Sequence, residues 1–260
     1  MRTNHLITVF LATFLIGFNS LAQNFSSELG VTLGPVAFKS DYGLENNSKT
    51  NFGNIGFGIG LMYFINFSYS PNGGYTKDTY FNDHFKLRNE LLYHKTELNH
   101  YGKYAEKNNL RGLQLRSMHG AANVVELGSL LEWHIFSIRD FDSASLNFSP
   151  YVSLGIHYVY FSPEASSDLG PLGEVATTYP KFLSPDPSNP YINTDDGSTY
   201  SIAFSAGSRY RLNDVGDLFV EARWHYYGSD FVDGLDHDNP ENKSNDWMFW
   251  LNVGYIFYLN

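Results

Sequence analysis

The chain has 260 residues, 27 acidic against 17 basic side chains, a net charge of −10, no cysteine and 17% aromatic residues, at a mean hydropathy of only −0.28. The missing cysteines exclude disulfide scaffolds and thiolate metal centres, and an acidic chain lacks the basic patches that neutralise nucleic-acid phosphates. Many aromatics at modest hydropathy exclude a helical membrane protein and fit a transmembrane β-barrel, whose strands alternate apolar and polar residues between aromatic girdles.

The first 22 residues read as a signal peptide. Arg2 supplies the positive n-region, Leu6 to Phe18 is apolar except for Thr8 and Thr13, and Ser20-Leu21-Ala22 precedes Gln23 as a small-x-small box, predicting cleavage between Ala22 and Gln23. A retained spanning helix would need about twenty apolar residues. Cleavage removes Arg2 as the segment's one charge, leaving residues 23–260 as a single barrel domain with a net charge of −11.

Period-two segments between Gly, Asn, Asp and Pro clusters then follow in order. The first, Phe25 to Phe38, sets Leu29, Val31 and Leu33 against Glu28, Gly30 and Thr32. The second, Ile55 to Tyr69, keeps Ile55, Phe57, Ile59, Leu61, Tyr63, Ile65 and Phe67 on one parity. The third, His84 to Glu97, opposes Phe85, Leu87, Leu91 and Tyr93 to Lys86, Arg88, Glu90 and His94. The fourth, Asn123 to Ile138, opposes Val125, Leu127, Leu131, Trp133 and Ile135 to Glu126, Glu132 and His134. The fifth, Leu146 to Phe161, carries Ser149, Ser153 and His157 opposite its apolar face. The sixth, Thr199 to Leu212, bears Arg209 and Arg211, and the seventh, Leu218 to Gly228, bears Glu221, Arg223 and His225. In the eighth, Trp247 to Leu259, every odd position is apolar, as a lipid-facing strand that closes against the first would be.

Eight segments of about eleven to sixteen residues exceed the five or six of an ordinary strand and satisfy the roughly nine to eleven of a tilted membrane strand. The fold expected is all-β: an eight-stranded antiparallel transmembrane barrel of the outer membrane, porin-like, with both ends periplasmic. Short connections near Arg139–Ser145 and Asn213–Asp217 suit periplasmic turns, and long ones at Lys39–Asn54, Asn99–Ala122, Ser162–Ser198 and Ser229–Asn245 suit extracellular loops. The Ser70–Asp83 connection is longer than such a turn needs.

The inward parity collects Glu28, Lys86, Arg88, Glu90, Glu126, Glu132, Arg209, Arg211, Glu221 and Arg223, together with His94, His134, His157 and His225. An eight-stranded barrel is just wide enough for side chains to fill it, and buried charges need partners, so these residues predict a charge-paired plug. A catalytic reading would use the Glu and His side chains as acid and base, but no spacing selects a pair, and no enzyme is expected. Gly56, Gly58 and Gly60 lack nucleotide-loop spacing; they are read as leaving room for long Arg and Glu side chains opposite. No organic cofactor is implied. Asp230, Asp233, Asp236 and Asp238 offer oxygen ligands around Gly234, a candidate calcium site without EF-hand spacing. The Pro-rich loop Ser162–Ser198 is the first surface to test for a partner.

The Ala22-Gln23 junction, Phe38-Lys-Ser-Asp-Tyr-Gly43, the run Thr79 to Arg88, the run Tyr191 to Ser198 and the terminal Asp246 to Leu259 together resemble the outer-membrane β-barrel family common in Flavobacteria and other Bacteroidota. More distantly that family is similar to PorG, the porin-like barrel component of the type IX secretion system. The resemblance covers nearly the whole mature chain and carries over no catalytic residue. Members of that family carry no assigned activity; the role expected is an accessory or structural barrel of an envelope assembly, in contact with outer-membrane lipid and other envelope proteins, with a narrow porin for small solutes as the alternative.

Overall fold

The computed structural model describes residues 26–43, 48–70, 74–186, 188–236 and 245–259. The expected signal peptide with its Ala22–Gln23 junction, and Asp238 of the acidic loop, lie outside the described residues. Eight long strands form the barrel: β1 Ser26–Lys39, β2 Ile55–Asn66, β3 Phe85–Asn99, β4 Met118–His134, β5 Phe148–Ser167, β6 Gly197–Asn213, β7 Gly216–Tyr227 and β8 Trp247–Tyr258. Each pairs antiparallel with its chain neighbours, and β8 returns to β1, so the sheet is closed. At the seam Glu28 stands opposite Tyr258 and Lys39 opposite Trp247. Closure leaves no unpaired sheet edge, the condition for a β-structure to sit in lipid.

Alternation sorts the side chains. On β1 buried and exposed residues alternate from Glu28 to Val36, and the same holds on β7 from Leu218 to Tyr227 except at the half-buried Ala222. The outer face is apolar: Leu154 and Ile156 are 61% and 59% exposed, and Val31, Leu61, Leu91, Val125, Ile202, Val220 and Leu251 share that surface. Aromatics cluster toward its rims, with Tyr158, Tyr160, Tyr200 and Tyr226 at one end and Phe148, Tyr210 and Phe257 at the other. An exterior of this kind is stable against hydrocarbon and unstable in water. The chain is a closed β-barrel with an apolar outer wall, and no helix among the described residues is long and apolar enough to cross a membrane. One polar pair faces outward from the wall, where Ser129 Oγ donates to Asn89 Oδ1 at 2.7 Å.

Strands β4 and β5 run past their expected extracellular ends. Gly120, Ala121, Ala122 and Pro163 read as punctuation, yet the ladder continues from Val124 opposite Phe161 to Met118 opposite Ser167. The loop expected from Ser162 therefore begins six residues later.

Short α-helices lie in the connections: α1 Ser48–Gly53, α2 Tyr80–His84, α3 Leu110–Ser117 and α4 Ile138–Asp142. They account for the long Ser70–Asp83 connection. Tyr69–Ser70 pairs with Gly74–Tyr75 as a small hairpin, and Thr79 caps α2 by accepting from Asn82 N at 3.2 Å. Arg139 of α4 then clamps the assembly: its Nε lies 2.8 Å from Asp83, its Nη2 donates to Thr76 O at 2.9 Å, and its guanidinium stands 5.0 Å from the Tyr75 ring centroid. The extra residues fold back across the periplasmic mouth.

The interior is layered. Its extracellular part is an apolar core in which Val36, Phe38, Leu92, Val124, Val159, Phe161, Met248 and Trp250 from the strands meet Tyr42, Leu115, Phe182, Val232 and Leu235 from the loops. A charge-paired plug describes only the middle and periplasmic parts. The strand-two glycines belong to the apolar layer: a Cβ at Gly58 would sit 2.8 Å from the Trp250 ring, and one at Gly60 would strike Leu92. They make room for Trp250 and Leu92 rather than for Arg and Glu.

Candidate functional site: the filled lumen

Of the ten residues that the alternation assigned to a lumen charge network, the structure buries nine in the barrel. Eight of these form one continuous chain of ion pairs. Lys86 Nζ reaches Glu28 at 2.6 Å, and Arg209 joins Glu28 at 2.5 Å to Glu132 at 2.9 Å. Arg88 continues from Glu132 (3.0 Å) to Glu221 (2.8 Å) and Glu90 (3.3 Å). Arg223 closes the series on Glu90 at 2.8 Å and Glu221 at 2.6 Å. Tyr151 and Ser205 add hydroxyl donors to Glu221 at 3.0 and 2.7 Å, and the Arg209 guanidinium lies 4.4 Å from the Phe64 ring centroid. Fully buried charges survive only with such partners.

Arg211 departs from the expected plug. Two residues from the end of β6, it reaches the periplasmic mouth, where it donates to Asp142 O at 2.6 Å and stands 3.6 Å from the Asp142 carboxylate. There it lines a cavity of about 560 Å³ with Ser26, Glu28, Asn66, Asp142 and Tyr258. Burial pushes the Asp142 carboxyl up to about 6.

Glu126 is the ninth buried residue and stands apart. Among the described residues it has three imidazoles around it and no Lys or Arg: His94 Nε2 at 3.0 Å, His225 Nδ1 at 2.9 Å and His157 Nδ1 at 3.8 Å. Tyr227 and Ser201 donate to it, each at 2.9 Å. His157 is oriented from its other nitrogen, Nε2, by Glu90 at 2.7 Å, and its ring stacks on that of His225 with centroids 5.1 Å apart. A side chain at Gly128 would collide with the His157 ring. His134, by contrast, lies in the periplasmic layer between Glu132 and Ser149. Alternation marks all four histidines as inward, but only the barrel's stagger brings β3, β4, β5 and β7 together on one carboxylate.

The calcium candidates are divided. Asp230, Asp233 and Asp236 lie in one extracellular turn, but both carboxylate oxygens of Asp233 are taken by backbone amides, Leu235 N and Asp41 N, each at 2.7 Å. Asp233 N donates to Asp246 at 3.1 Å, so Asp41 and Asp246 join the group. Burial, reinforced by neighbouring carboxylates, raises the pKa of Asp246 and of Asp230, the latter to about 7; burial also raises that of Asp233. Nothing local in the sequence marks Asp41, which arrives from the β1–β2 connection, or Asp246, which stands at the far end of the β7–β8 connection.

The long loop is folded across the mouth. Phe182 is buried in the apolar core, Gln114 of α3 donates to Val175 O at 2.8 Å, and Ile192 bridges to Leu235.

None of the known protein families matches this sequence, and none of the curated proteins does. Among solved structures the chain is similar to Ail, the attachment invasion locus protein of Yersinia pestis, seen in complex with the heparin analogue sucrose octasulfate, at 12% identity over 90% of this chain and 99% of that one, TM-score 0.41. It is also similar to OprG of Pseudomonas aeruginosa (13% identity, 90% and 97% covered, TM-score 0.42). A third is a major outer membrane protein of Thermus thermophilus (11% identity, 90% and 100% covered, TM-score 0.43).

Proposed function

We propose that this protein is a non-enzymatic structural or accessory barrel of an envelope assembly, anchored in outer-membrane lipid and offering its loop-covered extracellular face to a protein partner. The observation that carries the reading is the filled interior: an apolar core beneath the loops, then a continuous ion-pair layer, then a folded periplasmic closure. A lumen built this way pairs its charged residues with one another and leaves recognition to the exterior. The sequence resemblance to a Bacteroidota barrel family, and more distantly to PorG, makes type IX secretion the first assembly to examine. Affinity purification in mild detergent is expected to recover a stoichiometric envelope partner, lost when residues 168–196 are replaced by a short turn. Recovery of the monomer alone would sink the reading. The narrow-porin alternative requires the apolar layer and the ion pairs to part, and it predicts discrete conductance in planar bilayers.

A further inference from the structure

We infer that Glu126, His157 and His225 form a binding site for one divalent transition-metal ion, zinc foremost, inside the barrel. The inference stands apart from the envelope-assembly reading. Its first support is charge accounting. Glu28, Glu90, Glu132 and Glu221 each contact Lys or Arg in the buried network, whereas Glu126, equally buried, meets no Lys or Arg among the described residues, only three imidazoles and the Tyr227 and Ser201 hydroxyls. A carboxylate withdrawn from water needs a positive charge, and here the structure surrounds it with metal-ligating nitrogens.

The second support is geometry. One ligand atom from each of the three residues lies within 4.8 Å of the others. Tetrahedral ligands at 2.0–2.2 Å from zinc stand about 3.3 to 3.6 Å apart. Glu126 Oε2 lies 2.9 Å from His225 Nδ1 and 3.8 Å from His157 Nδ1, distances that bracket this value. The separation between the two imidazole nitrogens is at most 4.8 Å, so the rings must turn toward each other to close on one ion.

The third support is the state of the ring nitrogens. His157 Nε2 faces the Glu90 carboxylate and so carries the proton, which leaves Nδ1 as a lone pair with no hydrogen-bond partner, aimed toward Glu126. A carboxylate that holds the far nitrogen of a metal-binding histidine is the usual device for fixing ring and tautomer. His225 Nε2 is also buried without a partner. On binding, the His225 proton moves from Nδ1 to Nε2, so a neutral imidazole ligates and no proton leaves the ring. Imidazole with a carboxylate suits zinc over calcium or magnesium, which prefer oxygen sets. The apolar core above the site places loading before or during barrel closure.

The test uses the whole protein, refolded into detergent micelles with zinc chloride and then washed with chelator. Bound zinc is measured by mass spectrometry, and folding by the heat-modifiable gel shift. About one zinc per folded barrel is expected, unchanged in His134→Gln and reduced about tenfold or more in His157→Gln and His225→Gln. Cobalt substitution should give visible bands from the bound ion in the unmutated protein, a readout that stands even where a variant fails to fold. A folded barrel that keeps neither metal overturns the proposal, as does retention unaffected by both histidine substitutions.

Discussion

Arg88 is fully buried and touches three glutamates. Arg88→Leu would leave Glu132, Glu221 and Glu90 short of a cation, and removing one partner of a buried pair costs about 3–5 kcal/mol. The same change at the partly exposed Arg211 should cost about 1 kcal/mol or less. Urea titration of the two variants in micelles measures the contrast; equal costs would contradict the layering. Trp250→Ala, emptying the space that Gly58 leaves for the indole, should cost about 3–5 kcal/mol by the same assay. Individual lumen charges are legible because alternation marks them one by one. Their partners are not: Glu28 meets Arg209 across 181 residues, a pairing set by barrel stagger. What the strand-two glycines make room for is hidden for the same reason, since the indole that faces Gly58 comes from β8.

At the scale of elements, the acidic group of Asp41, Asp230, Asp233 and Asp246 ties the β1–β2 and β7–β8 connections together. The pKa values of Asp230, Asp233 and Asp246 are raised above the ordinary 3.8. The folded loops thus bind more protons than the unfolded chain between about pH 4 and 8, and stability falls as pH rises through that window. Hydrogen exchange should show residues 228–236 protected at pH 5 and opening faster at pH 8, with Asp233→Asn abolishing much of the pH dependence. Calcium at pH 8 restoring protection would show that the turn binds the ion. Strand positions are legible because apolar alternation is a local pattern. The overruns of β4 and β5 are not, because small residues and Pro163 look like a boundary until a partner strand is present to pair with them. The inner apolar layer leaves a quieter signal: near their extracellular ends several strands are apolar on both parities, as at Val124-Val125 and Val159-Tyr160-Phe161.

The whole molecule is a lipid-facing shell around an interior filled by side chains, with a cavity at its periplasmic mouth. Leu154→Arg, which places a charge on the outer wall, should destabilise the barrel in bilayers by about 2–4 kcal/mol, the usual cost near the midplane. In planar bilayers the unmutated barrel should stay electrically silent. Steady unitary currents would mean that the interior parts under voltage and would favour the porin reading.

The ion pairs of the interior also bear on how the barrel is made. Glu28 on β1 meets Lys86 on β3 and Arg209 on β6, and Arg88 on β3 meets Glu221 on β7. None of these contacts joins strands adjacent in the wall, so a sheet of four or five strands would expose most of these charges with a counter-ion still to come. Such contacts reward the chain only after the long loops between them have closed. The interior therefore acts as a count of strands: a ring closed one hairpin short, or in the wrong stagger, would trap unpaired charges and reopen, and only the eight-stranded product would persist.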